Sequence, residues 1–295
     1  MSIDVPLVSV IITTRNRHDD LNKCVESIFN SDFSSFELIV VDDASDTPVK
    51  LTLGKNSVKP IIVRNDKRSL LSYSRNIGSS VSRGKYLFFV DDDNVISTDC
   101  ISNLVKVMDS STSISVTSPV AYFLKQPDLI WTSIISKGKF PSSYVINSYN
   151  SPKPISTDSF HNAFMIRADY FNSIGRFDEV LFPVHFSETD FAVRTRKKGL
   201  KLINVPQAKV WHNISKGNLN VDSTRAFYTL RNRILLLKKH STRAELFLYL
   251  IGILPLQSIF YVIHHSNYST DNKLKTIFKL FMGIIDGLSR PVSRQ

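Results

Sequence analysis

Three consecutive aspartates, Asp91-Asp92-Asp93, end the apolar run Tyr86–Val90. Adjacent carboxylates repel one another, and removing them from water is costly without a cation. A divalent metal resolves both problems. Hard oxygen ligands suit Mg²⁺ or Mn²⁺, which typically also hold substrate phosphates. The plain alternative is a solvated turn with helix-capping aspartates, but a buried strand ending in three aspartates is an unusual way to build a turn. Asp42-Asp43 ends a second such run, Glu37–Val41. One of these carboxylates is suited to accept hydrogen bonds from a nucleobase or ribose. Alone, a turn aspartate would be the simpler account; the Asp91–Asp93 cluster at a comparable strand end favours a site.

The elements that must position these carboxylates are legible as alternating periods. Leu7–Thr13 is a short β-branched run, the mark of a buried parallel strand. A helical pattern follows from about Asp19 to Asn30, with Leu21, Cys24, Val25 and Ile28 on one face. Glu37–Val41, Pro60–Val63 and Tyr86–Val90 read as further strands, and Leu70–Val81 as a helix. Strands alternating with helices predict an α/β, doubly wound parallel sheet, in which ligands bind beyond the carboxyl ends of the strands. Residues 111–159 read as extended segments and loops. Helices return near Ala168–Ile174 and Glu188–Lys198, with short strands at Lys201–Val205 and Ala208–Trp211.

The chain has 295 residues, 42% of them hydrophobic, enough for a buried core. A net charge of +11 favours anionic partners: nucleic acid, acidic lipid or phosphorylated substrate. Two distant cysteines, Cys24 and Cys100, argue against a disulfide framework or a cysteine-rich zinc site. Asp4 and Pro6 interrupt the start where a signal peptide would need an apolar run, so a cytoplasmic catalytic part is expected. No Gly-x-Gly-x-x-Gly follows the first strand, where Thr14-Arg15-Asn16-Arg17 stands instead, and no Walker-type loop is found. Phosphates would then be held by metal and basic side chains.

From about Val8 to Asn213 the chain resembles the family 2 glycosyltransferases. The resemblance is carried by VSVIITTRNRHDDLNKCVESI (8–28), ELIVVDDAS (37–45), SRNIGSSVSRGKYLFFVDDDN (74–94), FHNAFMIRADYFNSIGRFDE (160–179) and SETDFAVRTRKKGLKLINVPQAKVWHN (187–213), in that order. It implies a GT-A fold, Rossmann-like with a mostly parallel sheet flanked by helices, and inverting transfer from a nucleoside-diphosphate sugar to a hydroxyl. It further implies roles. Asp43, with Asp42, would hold the base or ribose; Thr14 and Arg15 would border the nucleotide pocket; Arg75 would lie near the diphosphate or ribose. Asp91 and Asp93 would form the aspartate-x-aspartate pair around Asp92 of the donor site, with Asp93 the direct metal ligand, completed by His212. Where the family commonly has Glu-Asp-x-Asp, this chain has Ser187-Glu188-Thr189-Asp190. Glu188 takes the position of the base, a task either carboxylate suits. Asp190 is the alternative, though its spacing also allows an i,i+4 pair with Arg194.

A catalytic domain over 1–222 and a helical segment over 223–295 are expected. Ser223–His240 is basic on one side. Ala244–Ile263 is nearly long enough to span a bilayer, at ~20 residues, although Glu245, Pro255 and Gln257 count against a span. Lys273–Leu288 is amphipathic, with Lys273, Lys275 and Lys279 opposite Ile277, Phe278, Phe281 and Ile284. Together they suit docking on an anionic membrane surface, at its cytoplasmic face, and through it a saccharide or lipid-linked saccharide acceptor. The alternatives are a bundle packed on the catalytic domain and a homo-oligomer interface. Other function classes remain: a sugar nucleotidyltransferase, which also needs aspartates and metal, and a basic nucleic-acid-binding protein. Because so many basic residues sit among apolar ones in the C-terminal helices, lipid fits better and no nucleic-acid partner is expected.

Overall fold

The computed structural model describes residues 5–52, 59–138, 144–148, 151–213, 223–268 and 272–294. They fall into two compact units. The first comprises Met1–Ser136, Ile146–Glu179 and Ser187–Ser215; the second comprises Lys137–Val145, Val180–Phe186 and Lys216–Gln295.

The first unit begins with β1 (Val8–Thr14), α1 (His18–Phe29), β2 (Phe36–Asp42), β3 (Ile61–Arg64), α2 (Leu71–Ser80) and β4 (Tyr86–Asp91). β5 (Asn94–Ile96), α3 (Cys100–Asp109), β6 (Ile114–Phe123) and β7 (Gln126–Thr132) follow, and then the short strands β8 (Ile134–Lys137), β9 (Tyr144–Asn147) and β10 (Ile155–Ser156), of which Lys137 and Tyr144–Val145 are counted with the second unit. β11 (Ala163–Arg167), α4 (Ala168–Ile174), α5 (Ser187–Lys197) and β12 (Lys201–His212) complete it. The main sheet has the order β10-β12-β6-β11-β4-β1-β2-β3. β3, β2, β1 and β4 are parallel, and so are β6 and β12. β11 lies antiparallel between β4 and β6. It therefore starts at the end of the sheet where β1 and β4 finish, and delivers Phe160–Asn162 there.

The β-branched and aromatic runs become strands because both of their faces are covered. Val10 and Ile12 of β1, Leu38 and Val40 of β2, and Phe88 and Val90 of β4 join Leu21, Cys24, Ile28 and the apolar side of α3 in one core. Ile11, Ile39, Val41, Leu87 and Phe89 face the other way, onto Phe171, Phe177 and Phe191. Full burial of such a side chain contributes about 1.5–3 kcal/mol, so a register slip of one residue is strongly disfavoured. α2 lies close on the second face: a Cβ on Gly78 would stand 2.5 Å from Ile11 Cγ2 and 3.2 Å from Val41 Cγ2.

Residues 111–159 are more regular than their sequence suggests. β6 is a ten-residue strand, buried along almost its whole length despite Ser115, Thr117, Ser118 and Pro119. Pro119 is tolerated because β12 bulges opposite it, between Val205 and Lys209. Asn204 Nδ2 donates to the Pro119 carbonyl at 3.0 Å. The two strands expected at 201–205 and 208–211 are this one strand, β12, interrupted only by the bulge. α3 is a helix where the sequence reading assigns none.

The second unit is helical. It contains α6 (Ser223–His240), α7 (Arg243–Leu248), a π-turn (Tyr249–Ile253), α8 (Leu254–Tyr268) and α9 (Lys273–Ser289). Thr242 and Glu245 form a capping box on α7, and Asn272 caps α9 by accepting from Leu274 N and Lys275 N. α9 packs on α6 through glycine: a Cβ on Gly283 would stand 2.0 Å from the Phe227 carbonyl oxygen, and one on Gly287 3.0 Å from that of Arg231. Among the described residues, Arg243–His264 is the one helix long and apolar enough to cross a membrane by length and composition; its most apolar 18-residue stretch has mean hydropathy 2.1 and is 11% buried.

Candidate active site

Four carboxylates and an imidazole meet at the end of the sheet where β1, β2 and β4 finish. β4 carries Asp91 into the turn Asp92-Asp93, and β5 pairs His212 of β12 with Asn94. Asn162, just before β11, ties the corner: its side chain donates to Asn94 Oδ1 at 2.8 Å, and its carbonyl accepts from Asp91 N at 2.9 Å. The glutamate comes from the other side, in the first turn of α5.

A single arginine joins the two sides. Arg75, on α2, is 2% exposed. It donates through Nη1 to Glu188 Oε1 and through Nη2 to Asp91 Oδ1 at 2.8 Å, while its plane lies over Phe164 and Phe177. Burial opposes ionisation of Glu188, but Arg75, with hydrogen bonds from the Glu188 backbone and Ser187, outweighs it and holds the carboxyl below its ordinary range. For Asp91 burial prevails over Arg75 and lifts the carboxyl above its usual value. Arg75, expected near the diphosphate or ribose, stands beside the Asp91–Asp93 turn and pairs with these two carboxylates.

Asp92 accepts from Thr14 Oγ1 at 2.7 Å and from Arg17 Nη1 at 3.1 Å. Burial nevertheless pushes its carboxyl up to about 7, against Arg17 and Thr14 and with help from Asp93 and Asp91. Asp93 goes the other way. Burial opposes its ionisation, but His212 and Arg17 beside it keep the carboxyl below the ordinary range. Its Oδ1 is buried without a well-directed hydrogen bond and faces His212 Nε2 at 3.1 Å. Two donors bound to one cation at ~2.1 Å each, at right angles, stand about 3 Å apart, so the Asp93–His212 pair fits a divalent metal. Among the described residues no group of three His, Cys, Asp or Glu is already assembled around a metal position. The set suits a cation that keeps waters and substrate phosphates as its other ligands.

Asp42 and Asp43 organise loops. Asp42 is 1% exposed, receives Ser45 N at 2.8 Å and pairs with Arg64. Asp43 accepts from Asn65 Nδ2, Ser69 N and Leu70 N at 2.7–2.9 Å. These bonds hold Leu70 at φ 71°, and Ala44 and Asn16 are also left-handed, at 55° and 57°. Non-glycine residues take that conformation only where their surroundings enforce it, and here three of them lie after β1, after β2 and before α2. Arg15 is exposed and makes no hydrogen bond or ion pair with the described residues. Asp190 is not brought to the site: it is 0% exposed and bound by Arg194 at 2.8 Å, which also donates to Ile174 O and Arg176 O.

Two residues here escaped the sequence reading. Arg17 bridges Asp92 and Asp93, and its proximity to Thr14 in Thr-Arg-Asn-Arg was the available signal. Trp131 packs at a tilt against both His161 and His212, with ring centroids 5.2 and 4.7 Å away; no sequence signal pointed to it.

An α/β sheet of this order, with an acidic cluster at the carboxyl ends of its strands, has the GT-A fold. The chain belongs to glycosyl transferase family 2, whose model matches residues 9–175. The match favours the glycosyltransferase over the nucleotidyltransferase among the expected classes. The chain is 28% identical over 250 residues to a mouse polypeptide N-acetylgalactosaminyltransferase 16, covering 78% of this chain and 44% of that one. It is 32% identical over 107 residues to a Campylobacter jejuni GalNAc(5)-diNAcBac-PP-undecaprenol beta-1,3-glucosyltransferase, covering 35% and 34%. It thus spans less than half the length of these curated relatives. In fold it is similar to GalNAc-T7 crystallised with UDP, GalNAc and Mn²⁺, with TM-score 0.65, 15% identity, and coverage of 98% of this chain and 58% of that one. It is also similar to the Pyrobaculum calidifontis mannosyltransferase PcManGT in complex with GDP-Man and Mn²⁺, with TM-score 0.56, 15% identity, and coverage of 96% and 87%.

Proposed function

We propose that this chain transfers a sugar, with inversion, from a nucleoside-diphosphate sugar to a hydroxyl of a lipid-linked saccharide, at the cytoplasmic face of a membrane. The observation that carries the reaction is the arrangement Glu188–Arg75–Asp91, which sets an ionised carboxylate across one buried guanidinium from the Asp91–Asp93 turn. Asp93 and His212 would hold a divalent cation, Mg²⁺ or Mn²⁺, which when bound supplies positive charge to the departing diphosphate. Thr14 and Arg17 orient Asp92 for the donor, and Asp43 keeps the loop after β2 in place for the nucleoside.

Glu188 removes the proton from the acceptor hydroxyl. Its depressed pKa keeps it ionised at neutral pH, and Arg75 fixes its direction. A base so placed typically contributes ~10²–10⁴-fold. The relatives named for undecaprenol-linked acceptors support the acceptor class. The cation and nucleotide-sugar donor are supported by the Mn²⁺ complexes among the structural neighbours.

The test is thermal stability against UDP, GDP, dTDP and their sugars, each with and without Mn²⁺, since a ligand of the native state raises the melting temperature by mass action. A rise with one diphosphate only when Mn²⁺ is present is expected, and it would name the donor class. A rise with triphosphates alone would overturn the reading.

A further inference from the structure

The second unit exposes far more apolar surface than a protein in water keeps bare. Of the 21 large hydrophobic residues that stand exposed among the described residues, 13 lie on α7, the π-turn, α8 and α9. They are not scattered. At ~100° per residue, Phe278, Phe281, Met282 and Ile285 of α9 share one side, opposite Thr276, Leu280, Gly283 and Gly287, which are buried against α6. On Arg243–His264, Phe247, Ile251, Ile259 and Ile263 are each 58–60% exposed and recur every four residues or multiples of four. The other edge of that helix, with Leu246, Tyr249, Ile253, Leu254 and Val262, is packed in the core formed by Leu230, Ile234 and Leu280.

Charge follows the same pattern. Residues 223–295 hold eleven Lys and Arg against three Asp and Glu, a net +8 of the chain's +11. Lys275 and Lys279 lie on the flank of the exposed stripe of α9. The acid of that helix, Asp286, is turned inward and neutralised by Arg231 at 2.6 Å and Arg290 at 2.8 Å. An apolar stripe flanked by lysines, with its carboxylate withdrawn, complements the boundary between anionic headgroups and acyl chains.

We propose that Arg243–His264 and α9 together form an in-plane docking surface for an anionic bilayer, and that Arg243–His264 does not span it. Arg243–His264 is packed along one edge and exposes its apolar residues on the other, and α9 is held against the α6 backbone at two glycines, which suits a one-sided contact with lipid. The proposal rests on the membrane part of the reading above and is independent of its chemistry.

The full chain should float with vesicles of phosphatidylcholine and phosphatidylglycerol, and far less with phosphatidylcholine alone. Phe278→Glu and Ile285→Glu should each weaken that binding by roughly tenfold or more. Ile62→Glu, at an exposed apolar residue of the first unit, should leave it unchanged. Nitroxides at Phe247→Cys, Leu256→Cys and Ile263→Cys should report one shallow depth, the native Cys24 and Cys100 being buried. A deep middle label with both ends at interfaces would overturn in-plane docking in favour of a span. A protein that ignores vesicles, whether monomeric or self-associated through this patch, would overturn the membrane surface. Glu188→Gln should float like wild type, so a failed transfer mechanism and a failed docking surface give different results.

Discussion

Replacing Arg75 with methionine isolates the charge at the centre of the site. The guanidinium is 2% exposed and serves two carboxylates, Glu188 and Asp91, whose side chains are 16% and 27% exposed. Methionine keeps a flexible apolar side chain against Phe164 and Phe177, so most of the loss is electrostatic. Removing one partner of a buried ion pair costs about 3–5 kcal/mol, a large share of the ~5–15 kcal/mol that stabilises a typical protein. The pH dependence is the sharper signature. In the wild type the folded pKa of Glu188 lies below its unfolded value, so its contribution is present above about pH 4.3 and fades as the pH falls. Without Arg75, burial is opposed only by the hydrogen bonds from the Glu188 backbone and Ser187, and the folded pKa should rise above the unfolded one. The sign reverses: stability is then lost as the pH rises from about 4.3 towards the raised value, by up to ~1.4 kcal/mol per pH unit for each carboxylate. Urea unfolding at pH 5 and pH 8 should therefore show a wider gap between wild type and Arg75→Met at pH 8. A gap below about 1 kcal/mol, or one equal at both pH values, would refute the reasoning.

Glu188→Gln should fold normally and keep the donor-induced rise in melting temperature while transfer falls by ~10²–10⁴-fold; turnover near wild type would remove Glu188 from the role of base. His212→Ala and Asp93→Ala should each abolish the Mn²⁺ dependence of donor binding, read by titration calorimetry with and without the cation. Gly283→Ala should destabilise the helical unit by ~1–3 kcal/mol, because its Cβ would meet the Phe227 carbonyl oxygen and backbone would have to move; unfolding followed by helical circular dichroism measures it. For Asp42, burial opposes ionisation, but Ser45 and Arg64 hold the carboxyl below its ordinary value. Its contribution is therefore complete above about pH 3.9 and is lost on acidification, and Arg64→Met should flatten that acid limb of the stability curve.

What the sequence disclosed follows from which interactions are local. β1, β2 and β4 are continuous β-branched and aromatic runs with both faces buried, and their burial is written into composition. The acidic ends of β2 and β4 were legible for the same reason. β6 was not, because Ser115, Thr117 and Ser118 are buried there and Pro119 depends on a bulge in a strand more than eighty residues later. Arg194 and Asp190 are four residues apart, so their pairing could be foreseen as an alternative. Arg75 and Glu188 are 113 residues apart, and no local period connects them. The resemblance supplied the proposed base, and only the fold showed that Arg75 pairs with it.

β11 is the last made of three neighbouring strands. β4 ends at Asp91 and β6 at Phe123, and the strand that joins them does not begin until Ala163. At ~5–20 residues per second, a ribosome needs roughly 2–8 s to cover those forty residues. Throughout that interval the Tyr-Leu-Phe-Phe-Val stretch of β4 has a bare edge, with no charge to deter pairing with another nascent chain. The vulnerable moment of this protein therefore comes during synthesis. Slower translation cannot shorten it, because the edge waits for residues not yet added; a chaperone that shields the edge, or sparse ribosomes on the message, would keep neighbouring copies from pairing there first.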